Sequence, residues 1–165
     1  MSARTDAVSP HPLVELLECP KETGNLLNRS SQCLDVDAGE TVFHQFDVCR
    51  GLYLVVSGSF QRKTERVETR LMLSRARPGD LVELAASLGD GRHTYTLTAE
   101  TPGTLLLLPL FALNEAFKAF PSMRMRLLEE LAREVSRGYT ACTVARMANA
   151  RQRRSSAEGE SGGTA

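Results

Sequence analysis

The sequence predicts a mainly β domain with flanking helices, closed or folded as two packed sheets, with a long helix after it. Three features predict this. Short runs rich in Val, Tyr, Thr and Leu recur between residues 33 and 109, a composition that suits a pleated, half-buried strand. Glycine or proline punctuates that region, at Gly39, Gly51, Gly58, Pro78, Gly79, Gly89, Gly91, Pro102 and Gly103; many short strands with regular turn signals read as a sandwich or barrel. From Leu110 onward the apolar period becomes that of a helix.

In chain order, residues 1–11 read as a flexible leader, 12–120 as the β domain, 121–154 as the long helix and 155–165, rich in Ser, Gly and Glu, as a disordered tail. A short helix is expected over His11–Leu17, where Leu13, Leu16 and Leu17 share a face, and a second over 24–29. Strands are expected over 33–36, 41–43, 51–57, 59–64, 69–76, 94–101 and 104–109. Ala38-Gly39-Glu40 and Pro78-Gly79-Asp80 each place glycine where a tight turn wants positive φ. The Ala/Leu stretch 84–88 has helix character, which is unusual between strands and can bring backbone N–H groups to a ligand.

A helix is expected over 110–120, and Pro121 is a suitable first residue for the next one. In that long helix Leu128, Leu131, Val135, Gly138, Cys142 and Ala145 fall at alternating three- and four-residue steps. This is an a/d seam, apolar first and small-sided later, and the simplest partner for it is a second copy of the chain. The basic residues Arg146, Arg151, Arg153 and Arg154 read either as a solvated helix end or as a contact for phosphate or an acidic partner.

Composition excludes several classes. The 165 residues carry 20 Lys and Arg against 20 Asp and Glu, so no global field draws the chain to nucleic acid or to an anionic membrane. The apolar runs at 52–56 and 105–108 are far too short to cross a bilayer. No secretory h-region opens the chain, so a cytoplasmic address is the default expectation. Cys19, Cys33, Cys49 and Cys142 form no C-x-x-C pair and are expected to be reduced thiols, mostly buried. Only His11, His44 and His93 are present, in unrelated contexts, so no metal site is expected. No Ser/His/Asp arrangement, P-loop or paired-carboxylate motif appears, and no enzymatic activity is expected.

The order of features resembles the effector domain of the catabolite-activator/fumarate-nitrate-regulator (Crp/Fnr) superfamily, the cyclic-nucleotide-binding domain. The resemblance is carried by Asp37-Ala38-Gly39-Glu40-Thr41-Val42-Phe43, Gly51-Leu52-Tyr53-Leu54-Val55-Val56-Ser57-Gly58-Ser59, Pro78-Gly79-Asp80-Leu81-Val82-Glu83-Leu84-Ala85 and Thr96-Leu97-Thr98-Ala99. It implies a double-stranded β-roll (jelly roll) with small flanking helices and a long C-terminal dimer helix. It also implies a phosphate-binding cassette inside the roll, in which a Glu accepts a ribose hydroxyl and a helix start and an Arg hold a cyclic phosphate. Carried onto this chain, the ligand-binding residues are Glu83, Leu84, Ala85, Arg92, His93, Thr94 and Thr96, and a cyclic nucleotide is the implied ligand. Either Arg92 or His93 takes the phosphate-contacting position, depending on loop length.

The pattern is kept in part. Val82 and Phe46 stand where the family commonly has Gly, and Tyr95 where a small residue is usual. The expected function is a stand-alone sensor domain that takes a small anionic effector and signals through a dimer helix to a protein partner. The alternatives are a ligand-free interaction module with Tyr95 and Phe46 filling the interior, and a transcription regulator that lacks the usual helix-turn-helix module and binds DNA through the Arg-rich helix end alone; outside that last alternative nucleic acid is not an expected partner.

Overall fold

The computed structural model describes residues 2–4, 11–64 and 75–160. Helices α1 (His11–Leu17) and α2 (Lys21–Ser30) lead into strands β2 (Gln32–Val36), β3 (Thr41–Phe43), β4 (Gly51–Ser57) and β5 (Phe60–Lys63). Then come β6 (Leu81–Val82), helix α3 (Leu84–Leu88), β7 (Thr96–Ala99) and β8 (Gly103–Pro109), followed by α4 (Leu110–Ala119) and α5 (Pro121–Glu160). Ahead of them all, β1 (Ser2–Arg4) pairs antiparallel with β2, within the stretch expected to be a flexible leader. Backbone donors on the edge of β2 supply the reason: a short segment that reaches them satisfies both chains.

Two antiparallel sheets result, one in the order β1-β2-β8-β4-β6 and the other β3-β7-β5. The expected double-sheet β-roll with flanking helices is what the chain forms. Most of the expected 69–76 strand lies outside the described residues; Ala76 exchanges backbone hydrogen bonds with Phe60.

The centre of the larger sheet, β8 and most of β4, is apolar on both faces, and these strands read accordingly. Side chains alternate along a strand. Leu52 and Leu54 of β4, with Leu106 and Leu108 of β8, face a core completed by Leu13, Leu27, Leu113 and Met123 of the helices. Their neighbours Tyr53, Val55, Leu105 and Leu107 face a second core, shared with Phe43, Phe60 and Leu97 of the smaller sheet. A strand covered on both sides has no solvent face to mark with polar residues, which is why 105–108 is an unbroken leucine run. β4 and β8 meet closely at Gly51, where any Cβ would collide with the carbonyl of Leu108.

Both predicted glycine turns form, with positive φ at Gly39 and Gly79. Each is locked in the same way. The acid three residues on accepts the first residue's N–H, Asp37 to Glu40 Oε2 at 2.8 Å and Arg77 to Asp80 Oδ2 at 2.8 Å. In the first turn this bond holds the Glu40 carboxyl below the usual carboxylate range.

The compact unit ends at Leu131, and the helix from Ala132 onward is a unit of its own. α5 runs to Glu160, past the expected end at Arg154. Arg146, Arg151 and Arg153 are exposed, as a solvated run is, but none of them lies in the last turn, where the helix dipole would favour a cation.

Candidate functional site

One end of the sheet–sheet core contains polar side chains. Three segments meet there: the loop 44–50 between β3 and β4, the start of α3 at Glu83, and the loop 89–95 between α3 and β7. The two loops are zipped by backbone hydrogen bonds, Phe46 N–H to His93 O (2.9 Å), His93 N–H to Asp47 O (2.9 Å) and Cys49 N–H to Gly91 O (2.7 Å). Gly91 N–H donates in turn to Ala86 O of α3 (3.1 Å). Such a frame fixes the side chains it carries.

Glu83 is 2% exposed and sits in the left-handed region at φ 71°, a conformation that disfavours a Cβ and costs about 1–2 kcal/mol. Burial of a carboxylate demands partners, and it has them. Thr94 donates its N–H to Oε2 and its hydroxyl to Oε1, both at 3.3 Å. His93 Nδ1 lies 3.3 Å from Oε2. The Glu83 N–H donates to the Tyr95 hydroxyl at 3.2 Å.

The imidazole of His93 is 2% exposed and stacks on Phe43, with ring centroids 3.7 Å apart and planes 4° from parallel. Its Nδ1 makes no hydrogen bond; the approach to Glu83 has ion-pair distance without hydrogen-bond direction. Tyr53 and Tyr95 pack beside Phe43 at centroid distances of 5.3 and 6.0 Å. Desolvation pushes the Tyr53 phenol up to about 12. The Arg62 guanidinium lies 5.4 Å over the Tyr95 ring.

Of the two candidates for the phosphate position, His93 is the one turned inward to Glu83. Arg92 is exposed at the tip of its loop, and its Nη1 donates to Phe46 O at 2.9 Å. Thr96 Oγ1 accepts the Gln45 N–H at 3.0 Å. Leu84 is buried in the helix-side core, and Ala85 is half-buried beside it. Val82 is fully buried in β6, paired with Tyr53.

Tyr95 fills the interior as expected, but Phe46 does not: it is 55% exposed with φ 72°. That left-handed φ belongs to the turn itself, which explains why glycine suits the position. The ring is thereby aimed outward, so the expected filling role is withdrawn.

Sequence reading missed Cys49. It is 1% exposed, and its thiol donates to Gly51 O at 3.2 Å and lies 3.9 Å from Ser87 Oγ. Burial pushes the thiol up, with the Gly51 bond working against that shift. One ligand atom each from Cys49, Glu83 and His93 lies within 4.8 Å of the others. No local spacing signals this, because the three residues are 34 and 10 positions apart. The thiols of Cys19 and Cys49 are in no disulfide, and burial raises Cys19 as well.

Along the expected helix seam, Leu128 and Leu131 are half-buried, and Leu131 packs on the helix-side core of its own chain. Val135 is 63% exposed, and Tyr139, four residues on and on the same face, is 75% exposed. Around Gly138 a Cβ would meet open space. The side chains of Cys142 and Ala145 lie outside the described residues. No helix is long and apolar enough to cross a membrane among the described residues.

Residues 34–120 match the family model described as "Cyclic nucleotide-binding domain". No curated protein matches the sequence. Several solved structures are similar. The catabolite activator protein of Thermus thermophilus is 25% identical, with TM-score 0.66 over 83% of this chain and 63% of that one. The N-terminal domain of a transcriptional regulator from Streptomyces coelicolor A3(2) is 27% identical, with TM-score 0.57 over 84% of this chain and 94% of that one. The sensor domain of the transcriptional regulator DNR from Pseudomonas aeruginosa, 18% identical, has TM-score 0.65 over 78% and 91% of the two chains and shows the fold alone.

Proposed function

The chain belongs to the cyclic nucleotide-binding domain family, and from that premise we propose that it is a regulatory effector domain whose cassette is closed by its own side chains. The observation that carries this is the state of Glu83. In the family's manner its carboxylate would accept a ribose hydroxyl. Here both oxygens accept from Thr94, and the space before it holds His93 and Tyr95.

A nucleotide entering the cassette would have to displace a stacked imidazole and a buried phenol, leaving their polar groups to find new partners. Arg92, the arginine candidate for the family's phosphate position, faces outward, while the buried Arg62 guanidinium lies over the Tyr95 ring. On this reading the effector is therefore not a cyclic nucleotide whose phosphate Arg92 holds in the family's manner.

Output runs through pairing of the long helix with a second copy. Val135 and Tyr139 leave apolar surface on one face, and Gly138 between them permits a close approach. An effector changes that pairing only if it binds the paired and unpaired states unequally.

Isothermal titration of the full chain with cyclic AMP, cyclic GMP and cyclic di-GMP tests the reading. No heat and no thermal shift are expected. Saturable binding of any of the three that is lost in Glu83→Gln overturns it.

A further inference from the structure

We infer that Cys49, Glu83 and His93 form a binding site for a divalent metal ion of the zinc class. The inference rests on the reading above, that the cassette carboxylate is held by the chain itself rather than kept free for a sugar. The three donors come from three different segments, and their ligand atoms already lie within 4.8 Å of one another, all in buried residues. Tetrahedral coordination with bonds of about 2.0–2.3 Å places ligand atoms about 3.5 Å apart. His93 Nδ1 and Glu83 Oε2, at 3.3 Å, meet that requirement as they stand.

An independent observation points to the same place. His93 Nδ1 is buried, has no hydrogen bond and faces the carboxylate. A buried imidazole nitrogen without a partner is costly, and a metal ion is the partner that its geometry admits. The supporting shell is present too. Thr94 steadies both oxygens of Glu83, its hydroxyl on Oε1 and its N–H on Oε2, which keeps a second lone pair for a metal, and the Phe43 stack fixes the imidazole plane. Partners of this kind orient metal ligands and sharpen their affinity.

The donor set selects the ion. One sulfur, one imidazole nitrogen and one carboxylate oxygen suit zinc and its neighbours and do not suit magnesium or calcium, which take oxygen alone. On binding, the Cys49 S–H bond breaks, its proton passes to solvent and the thiolate bonds the metal. Thiolate, carboxylate and a doubly charged cation then sum to zero, so the buried site carries no net charge. Three protein ligands leave a fourth position, for water or for the Ser87 hydroxyl, which lies 3.9 Å from Sγ. The ion would clamp loop 44–50, the start of α3 and loop 89–95 together, which makes a metal ion the effector class for this domain.

The test uses the tag-free full chain, reduced and stripped by a chelator, and titrated with Co(II). A single equivalent should produce a sulfur-to-cobalt charge-transfer band with tetrahedral visible absorption, bleached by Zn(II). Cys49→Ser should lose the charge-transfer band, and His93→Gln should bind at least ~10-fold more weakly. Cys33→Ser, a thiol outside the cluster, should match the parent chain. No band in the parent chain, or a band that survives Cys49→Ser, overturns the metal site whether or not the variants fold. Metal failure with silent cyclic nucleotides leaves the closed-cassette reading standing, whereas nucleotide binding lost in Glu83→Gln removes that reading directly.

Discussion

The inner end of the roll and the exposed stretch of the long helix break the ordinary burial rule in opposite directions. The roll hides a glutamate and a histidine at 2% exposure each; the helix leaves Val135 at 63% and Tyr139 at 75%. Buried ionisable groups and exposed apolar faces both depart from what a fold needs for its own stability. The difference teaches where each function resides. The roll carries a carboxylate that Thr94 already holds, beside a buried imidazole nitrogen that has no hydrogen bond. The helix leaves the apolar side chains of Val135 and Tyr139 exposed, the surface to which output through a second copy is assigned above.

The largest expected effect falls on the roll. Glu83→Ala should lower unfolding stability by about 3 kcal/mol, because it leaves two Thr94 donors, the N–H and the hydroxyl, without their acceptor. Urea unfolding would read this as a lower midpoint at unchanged slope. A change below about 0.5 kcal/mol, the ordinary range for a surface substitution, would mean that the buried carboxylate anchors nothing, and the contrast with the helix would collapse.

Next comes alkaline stability. The folded state keeps the Tyr53 proton up to about 12 rather than the ordinary 10.0. Within that window the unfolded chain binds fewer protons, so stability falls as pH rises; the contribution is intact below the lower value and gone above the upper one. The parent chain should lose up to about 3 kcal/mol more than Tyr53→Phe across this window. Parallel denaturation curves at the two ends would show it, and identical losses in the two proteins would contradict it.

On the helix the expected effect is smaller and reverses sign between monomer and dimer. Gly138→Ala should raise the helicity of the isolated helix, worth up to about 1 kcal/mol. If two helices approach closely at Gly138, the added methyl should also weaken the dimer about tenfold, equivalent to ~1.4 kcal/mol of overpacking. Sedimentation equilibrium separates the two effects, and unchanged or tighter association would place Gly138 outside the seam.

The smallest effect belongs to a surface pair that follows neither pattern. Arg75 and Ser59 hold the Glu100 carboxyl below the usual range. Its stabilisation is present above the unfolded carboxylate value and disappears as pH falls through the lower folded one. Glu100→Gln should therefore resemble the parent chain at low pH and fall slightly below it at neutral pH, since solvent screens an exposed pair. A pH series of thermal midpoints would reveal a reversed trend.

Much of the fold was legible in local chemistry. Gly39 and Gly79 announce turns that only glycine enters easily, the leucine run 105–108 marks a strand covered on both faces, and Pro121 marks a helix start. These signals are short-range, so the order of residues carries them. β1 went unread because a three-residue edge strand owes its existence to the open hydrogen bonds of β2 rather than to its own composition. Glu83 was legible as a candidate from its motif, while the choice between Arg92 and His93 was not. A one-residue shift along a strand exchanges the inward and outward faces, and only the backbone bonds between loops 44–50 and 89–95 set that register.

By itself, then, the sequence determined the β-roll with its flanking helices, the two glycine turns and the long helix, because periodicity and turn chemistry act over a few residues. The tertiary structure alone decided that His93 points inward, that Phe46 points out, and that Cys49 joins Glu83 and His93. Each of these depends on contacts between segments far apart in the chain, where neither spacing nor composition leaves a trace.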